Sequence, residues 1–498
     1  MPGPLVERAG AMNPSLYEMN ARVWLTRLAR ALDRPVTFDH VPDAELDHLA
    51  RRGFDWLWLT SVWQTGRAGR QISRTHAGWR TEFEASLPDL RDDDIVGSGF
   101  AIVAYAASPS LGGDASLDRL RHRLHARGMR LMLDFVPNHT ALDHRWVDEH
   151  PEYYVTANAG DLSCAPQHYA RIPGSSGERL IAHGRDPFFP AWPDTLQLDY
   201  ANPATQAAML GELLSVATKC DGVRCDMATL VLPDIFERTW GRRTAPFWPG
   251  AIARVRGQAP QFCLLAEVYW NLEATLLGQG FDYAYDKRLY DLLREGDVRR
   301  IRGHLRADGD HQRRLARFVE NHDEPRAAAT FAPPAMHEAA AIVTFLVPGL
   351  RFFHQGQLEG CRKRISPHLA RAADEPVDEG LRRFYDALLS LLREPAFRDG
   401  DFALRECAPA WDGNPSSDAF IAWTCDDPVG GRRLVAVNYA PHRSQCYVRL
   451  ADAAFDGVVR LRDRMGPARY ERDGRELNAR GLYLDLPAWG YHVFEVIA

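Results

Sequence analysis

SLDRLRHRLHARGMRLMLDFVPNH (116–139) reads as a helix and a strand back to back. Leu117, Leu120 and Leu124 fall on one face at helical spacing, and Gly128 stops the helix. MRLMLDFVPNH (129–139) then runs as an apolar strand into acidic and polar residues. An amphipathic helix feeding a buried apolar strand is the unit of a parallel α/β sheet. The same unit appears upstream, where DAELDHLARRG (43–53) leads through Gly53 into FDWLWLTSVW (54–63). Further strands are expected at YEMNARVWL (17–25), GVRCDMA (222–228), QFCLLAEVYW (261–270), FDYAYD (281–286), RLARFVENHD (314–323) and GLRFFHQG (349–356). Eight strands with helices between them, all before residue 360, predict a (β/α)₈ TIM barrel.

Two stretches break the repeat. Between the strand ending near Val136 and the one starting near Gly222 lie about 85 residues, against roughly 30 for one unit of a ~250-residue barrel. Part of that excess, 141–198, is rich in Pro, Gly, His and Asp and reads as an inserted subdomain after strand three. The second break, 64–98, reads as a polar, arginine-rich loop after strand two. Both leave from strand C-terminal ends, where barrel enzymes keep their sites. FYDALLSLLREPAF (384–397) reads as a closing amphipathic helix ended at Pro395. Beyond it, AFIAWTC (419–425), RRLVAVNYA (432–440), QCYVRL (445–450), VVRLRD (458–463) and GYHVFEVI (490–497) are short β runs, with Gly430-Gly431 as a hairpin signal. The expected organisation is a barrel over 1–140 and 199–398, an insertion at 141–198, and an antiparallel β-sandwich at 399–498.

The chain has 498 residues, a formal net charge of −6 and a pI near 6.3. Without a basic excess, no nucleic-acid partner is expected. No run of 18 apolar residues occurs, so no membrane span is expected. MPGPLVERAG (1–10) lacks the apolar core of a secretory signal, which makes the cytoplasm the expected location. The eight cysteines form no CxxC pair, and Cys220, Cys225 and Cys263 sit in apolar runs as packed thiols.

Asp134, Asp226, Glu267 and Asp323 each fall at the C-terminal end of an expected barrel strand. One such carboxylate reads as a cap or a solvated loop residue. Four at equivalent positions crowd the barrel mouth, where they repel and shift one another's protonation. That cost suits glycosyl transfer, in which one carboxylate attacks and another donates a proton.

These residues resemble glycoside hydrolase family 13, the α-amylase family. The resemblance lies in DFVPNH (134–139), GVRCDMATL (222–230), AEVY (266–269) and FVENHD (318–323), in order on strands three, four, five and seven. Weaker matches are YEMNARVW (17–24), LQLDY (196–200) and GLRFFHQGQLEG (349–360). The resemblance implies Asp226 as nucleophile, Glu267 as general acid/base and Asp323 as the third carboxylate, gripping sugar hydroxyls. It implies Arg224 as the ion-pair partner of Asp226, and His139 and His322 as hydroxyl donors. Asp134 and Asn138 support the first motif. It implies a small carbohydrate substrate and no required cofactor, with Asn138 as the one candidate ligand for a structural Ca²⁺.

The sequence departs from the family at three places. Thr229 and Leu230 stand where many amylases carry a Lys-His pair on the leaving-group side. Phe100, in GSGFAIVAY (97–105), stands where the family often stacks a tyrosine under the cleaved sugar. No oxygen-rich DxNxDG-like calcium loop occurs. Trp56 and Trp58 alternate on a strand and read as core, whereas Trp63 lies past the strand end as a candidate sugar platform. Arg67, Arg70 and Arg74 read as a solvated loop, with an anionic aglycone as the functional alternative. The expected function is a retaining glycosidase or transglycosylase acting on short α-glucosides by double displacement. Hydrolysis, transfer and isomerisation differ only in acceptor. The alternatives are a starch-type endo-acting α-amylase and a catalytically silent sugar-binding or scaffold member.

Overall fold

Eight short parallel strands close into a barrel in simple sequence order: β1 (Ser15–Asn20), β2 (Trp56–Thr60), β3 (Arg130–Phe135), β4 (Gly222–Cys225), β5 (Cys263–Ala266), β6 (Tyr283–Tyr285), β7 (Leu315–Arg317) and β8 (Leu350–His354). The computed structural model describes residues 12–157, 159–174, 177–427, 430–450 and 454–497. The reading of residues 1–10 lies outside the described residues. Among those described, no helix is long and apolar enough to cross a membrane.

The strands are buried on both faces because the barrel interior and the helix layer both exclude water. β2, WLWLT, is buried at every position. Trp63, the candidate sugar platform, is buried as well, and its indole N–H donates to Asp134 O at 2.7 Å. The ring braces the third strand and offers no face to a ligand.

Three local expectations change. The first strand, expected over 17–25, ends at Asn20, whose side chain accepts from Arg22 N and Val23 N and caps the helix Ala21–Leu32. The apolar run Val23-Trp24-Leu25 is the buried face of that helix. The loop at 64–98 contains two helices, Arg67–Thr75 and Ala77–Ser86, hidden in the sequence because they bury little more than Gly69, Ser73 and Phe83. The closing helix spans Glu379–Leu391. Pro395 opens a further short helix, Pro395–Arg398, where its missing N–H costs nothing.

In the insertion, strand His139–Ala141 pairs antiparallel with Thr195–Gln197, and Tyr169–Gly174 pairs with Gly177–Ala182. The C-terminal part holds β9 (Asp401–Arg405), β10 (Cys407–Pro409), β11 (Phe420–Asp426), β12 (Arg432–Asn438), β13 (Ser444–Val448), β14 (Val458–Asp463), β15 (Arg469–Asp473), β16 (Leu482–Leu486) and β17 (Tyr491–Ile497). They form a six-stranded sheet, β9-β11-β12-β17-β14-β15, and a three-stranded sheet, β10-β13-β16. Alternation explains the long apolar runs of β11 and β12. Phe420, Ala422, Leu434 and Ala436 pack with Cys446, Val448 and Leu484 of the small sheet. Ile421, Trp423, Val435 and Val437 face the other way and join the barrel's core.

Candidate active site

Asp226 and Glu267 reach the barrel mouth because the hydrogen-bond ladder runs one residue past β4 and β5, whereas Asp134 lies within β3 and Asp323 in the loop after β7, which ends at Arg317 rather than at 323. Asp226 N donates to Phe135 O at 2.8 Å, and Glu267 N donates to Cys225 O at 3.1 Å. Arg224 pairs in register with Asp134 on β3 and Leu265 on β5. β4 starts close against β5: a Cβ at Gly222 would lie 2.7 Å from Cys263 O, so only glycine fits.

Arg224 is the hub. It is 1% exposed, and its Nη1 donates to Asp226 Oδ1 at 2.7 Å. Nη2 lies 2.8 Å from Glu267 Oε2 and 3.8 Å from Asp323 Oδ2, and Nη1 lies 3.5 Å from Asp134 Oδ1. Nε donates to Tyr285 Oη at 3.3 Å. Its plane packs near Trp58 and Phe100, at 5.4 and 5.3 Å from the ring centres. Burial works against its charge, but Glu267, Tyr285, Asp226 and Asp134 more than offset that and push its pKa well up.

Glu267 is held at both oxygens. Oε2 accepts from Met227 N at 2.5 Å, in addition to Arg224, and Tyr269 Oη donates to Oε1 at 2.9 Å. Burial pushes its pKa up to about 7; Arg224 opposes the shift, and Asp226 and Asp323 add to it. Burial likewise raises Asp134 to about 7 against the pull of Arg224 and His322. His322 lies between two acids: Nδ1 is 2.5 Å from Glu18 Oε1, and Nε2 is 3.1 Å from Asp323 Oδ2. Phe100 stacks on its ring at 5.3 Å with the planes 22° apart. His139 packs against Trp192 at 5.2 Å, and burial lowers its pKa.

Asp134, Arg224, Asp226, Glu267, His322, Asp323 and Phe100 therefore share one site, with His139 beside them. Other residues singled out in the sequence go elsewhere. Thr229 and Leu230 are buried in a tight turn. Arg70 and Arg74 both donate to Ile95 O, so they brace the backbone of their own loop.

Asn138 does not fit a calcium role. It is fully buried, its Nδ2 donates to Gln197 Oε1 at 3.1 Å, and its Oδ1 accepts from Gln197 Nε2 at 2.9 Å. One lone pair of its amide oxygen is taken by that bond, and its side-chain partners, Gln197 and His139, include no carboxylate. Among the described residues, no group of three or more His, Cys, Asp or Glu side chains is arranged to hold a metal ion.

Sequence reading missed Glu18, Tyr269 and Tyr285. Glu18 had one available signal: it is the lone charge in the buried strand SLYEMN. It also missed Trp270, which stands on the rim with φ +62 and is followed by Asn271 at +59. Two consecutive non-glycine residues in the left-handed region are strained, and such strain clusters at functional sites. Phe188, 57% exposed, meets the Trp270 ring edge to face at 5.0 Å.

Residues 44–277 match the family model described as the α-amylase catalytic domain. The α-amylase MalA of Haloarcula japonica is 25% identical over 361 residues, which is 71% of this chain and 45% of that protein. The chain spans less than half the length of the curated relatives it first matches. The maltogenic α-amylase AmyB of Thermotoga neapolitana superposes with a TM-score of 0.70 at 18% identity, over 98% of this chain and 99% of that one. The α-amylase of Geobacillus thermoleovorans, solved with acarbose, gives a TM-score of 0.65 at 18% identity, over 99% and 100%.

Proposed function

Because the chain belongs to the α-amylase family through the catalytic domain at residues 44–277, we propose that it is a retaining α-glycosidase or transglycosylase acting on short α-glucosides. The observation that carries the reading is the Arg224 guanidinium, which grips one oxygen each of Asp226 and Glu267. Sharing one planar fork supports the close carboxyl pairing of retaining enzymes, about 5–5.5 Å, over the about 6.5–9.5 Å that admits a water between.

Asp226 Oδ1 is occupied by Arg224, so Oδ2 attacks the anomeric carbon. Glu267 Oε2 accepts from two donors, so the acid proton sits on Oε1, beside the Tyr269 hydroxyl. That proton passes to the leaving oxygen as the glycosyl bond to Asp226 forms. Glu267, now a carboxylate, takes a proton from the incoming acceptor, which displaces Asp226 and restores the α configuration. Asp323 and His322 hold sugar hydroxyls, and Phe100 packs under the ring without adding a hydrogen bond of its own.

Short substrates are supported by the way the mouth is laced. The segment after β8 bonds to the loop after β2: Val96 N donates to His368 O at 2.9 Å, Gly99 N to Pro367 O at 3.2 Å, and Ala370 N to Asp94 O at 2.8 Å. Arg371 grips both Asp89 and Asp94. Arg364 links this wall to the site, with Nη1 on Glu82 and Nη2 on His322 O. A wall bonded this often does not open for a long glucan. On the leaving side, the Trp270–Phe188 pair suits the apolar face of one further ring.

The test compares initial rates on α-linked di- and trisaccharides, with and without acceptor sugars, against soluble starch at equal bond concentration. The reading expects faster release from the short sugars. Faster cleavage of starch, with viscosity falling before small sugars appear, restores the endo-amylase reading.

A further inference from the structure

Glu18 lies within β1, in register with Trp58 on β2 and His354 on β8, and is 1% exposed. Its Oε1 lies 2.5 Å from His322 Nδ1. Oε2 is buried without a hydrogen-bond partner, and His354 Nε2 is 4.0 Å away. Among the described residues, His322 is thus the only hydrogen-bond partner of this carboxylate. A buried carboxylate with one partner is costly in a barrel core, so its retention calls for a task.

The imidazole supplies the task. Its second nitrogen, Nε2, lies 3.1 Å from Asp323 Oδ2. A carboxylate only accepts hydrogen bonds, and a neutral imidazole has only one N–H to give. Both contacts are satisfied when both nitrogens carry hydrogen. The ring plane is fixed as well, by Phe100 stacked on one face and by the Trp58 edge at 5.8 Å.

We propose that Glu18 is a positioning residue, which holds His322 as an imidazolium with Nε2–H directed at Asp323 and the sugar hydroxyl bound there. The inference deepens the proposed glycosidase reading and rests on it for the identity of the hydroxyl. A charged donor makes a shorter and roughly twofold stronger hydrogen bond than a neutral one. It also places a positive charge beside the carboxylates where an oxocarbenium-like sugar must be held.

The charged surroundings agree. Arg224 from β4 faces the ring and opposes its charge, Asp134 from β3 favours it, and Arg364 donates to the His322 carbonyl. Burial opposes the charge most, yet Asp323 and Glu18 together prevail and raise the imidazole to about 9. Beyond Glu18, His354 Nδ1 meets Glu320 Oε1 at 3.0 Å, and Glu320 pairs with Arg326 at 2.5 Å. His354 therefore has its own carboxylate and does not compete for Glu18.

The test is ¹⁵N NMR of histidine-labelled protein, with the His322 signals assigned by their loss in His322→Asn. In the wild type, both ring nitrogens of His322 are expected to stay protonated through pH 8. In Glu18→Gln, the ring is expected to deprotonate at least about one pH unit lower, a tenfold change in its acid constant. A wild-type His322 that is neutral at pH 7, or a titration unmoved by Glu18→Gln, overturns the proposal. Should Glu18→Gln not fold, the wild-type spectrum decides alone. Kinetics add a readout that lost packing does not move. On a glucoside the wild type turns over, the ratio of kcat/KM at pH 6 to that at pH 8 should rise about twofold or more in Glu18→Gln. Glu18→Asp should bring it back toward wild type; a ratio unchanged in Glu18→Gln, or raised equally in Glu18→Asp, counts against the role. The NMR needs no substrate, so a protein that shows the imidazolium but cleaves no α-glucoside refutes the glycosidase reading and leaves the His322 assignment standing.

Discussion

At the scale of the residue, one arginine organises the site. Arg224 meets Asp226, Glu267, Asp323 and Asp134 from a position 1% exposed. The chemistry follows from what it leaves free. Asp226→Asn keeps the shape but removes the charge, and we expect kcat to fall at least about 10³-fold with folding intact, read by steady-state kinetics and circular dichroism. Glu267 is raised to about 7 from 4.5, mainly by burial, so it is protonated, and competent as an acid, below that pH. Activity should fall as pH rises through about 7. Glu267→Gln should lose that alkaline limb and regain turnover with azide on a substrate whose leaving group needs no proton. The same shift has a stability sign. Between 4.5 and about 7 the folded protein holds a proton that the unfolded chain releases, so stability declines as pH rises across that window. Thermal melts of Glu267→Gln should lose this part of the decline; a wild-type slope in the variant contradicts the assignment. The three carboxylates and Arg224 were legible from their motifs, although Asp323 stands in the loop after β7 and not at the end of the strand. Glu18 was not, because its partner His322 lies 304 residues away and strand periodicity carries no trace of that pairing.

At the scale of the element, the barrel strands were readable because both their faces are buried, which leaves unbroken apolar runs such as WLWLT. Readability failed where burial is sparse. The helices Arg67–Thr75 and Ala77–Ser86 are polar nearly all round, and their purpose lies in the wall they build, with Arg70 and Arg74 bonding Ile95 O. The first strand was drawn too long because a helix's apolar face and a strand's apolar run look alike over three residues. Where the insertion rejoins the barrel, Asn138 and Gln197 form an amide pair, both fully buried. Gln197→Ala leaves two buried polar groups unpaired and should cost about 1–3 kcal/mol, seen as a lower Tm. Chelator treatment should leave the wild-type Tm unmoved, since Asn138 is paired with Gln197 and, among the described residues, no group of His, Cys, Asp or Glu is arranged to hold a cation. A Tm that drops on chelation and recovers with calcium contradicts the amide clasp.

At the scale of the whole molecule, the C-terminal sheets are part of the barrel's stability. Their large sheet buries one face on the small sheet and the other on the barrel. Trp423 crosses that junction, fully buried, with its indole N–H on Leu346 O at 3.1 Å. Trp423→Ala should cost about 3–5 kcal/mol and lower the melting of the barrel and sheets together. Two separate transitions, with the barrel unaffected, contradict a shared core. The central claim is that this barrel forms a covalent glycosyl bond to Asp226. It is tested most directly by incubating Glu267→Gln with α-glucosyl fluoride, whose departure needs no acid, and mapping the modified peptide by mass spectrometry. The account predicts one glucosyl group on Asp226, within the segment 222–230. A glucosyl group on any other residue, or rapid turnover with no adduct and an inverted product, would contradict it.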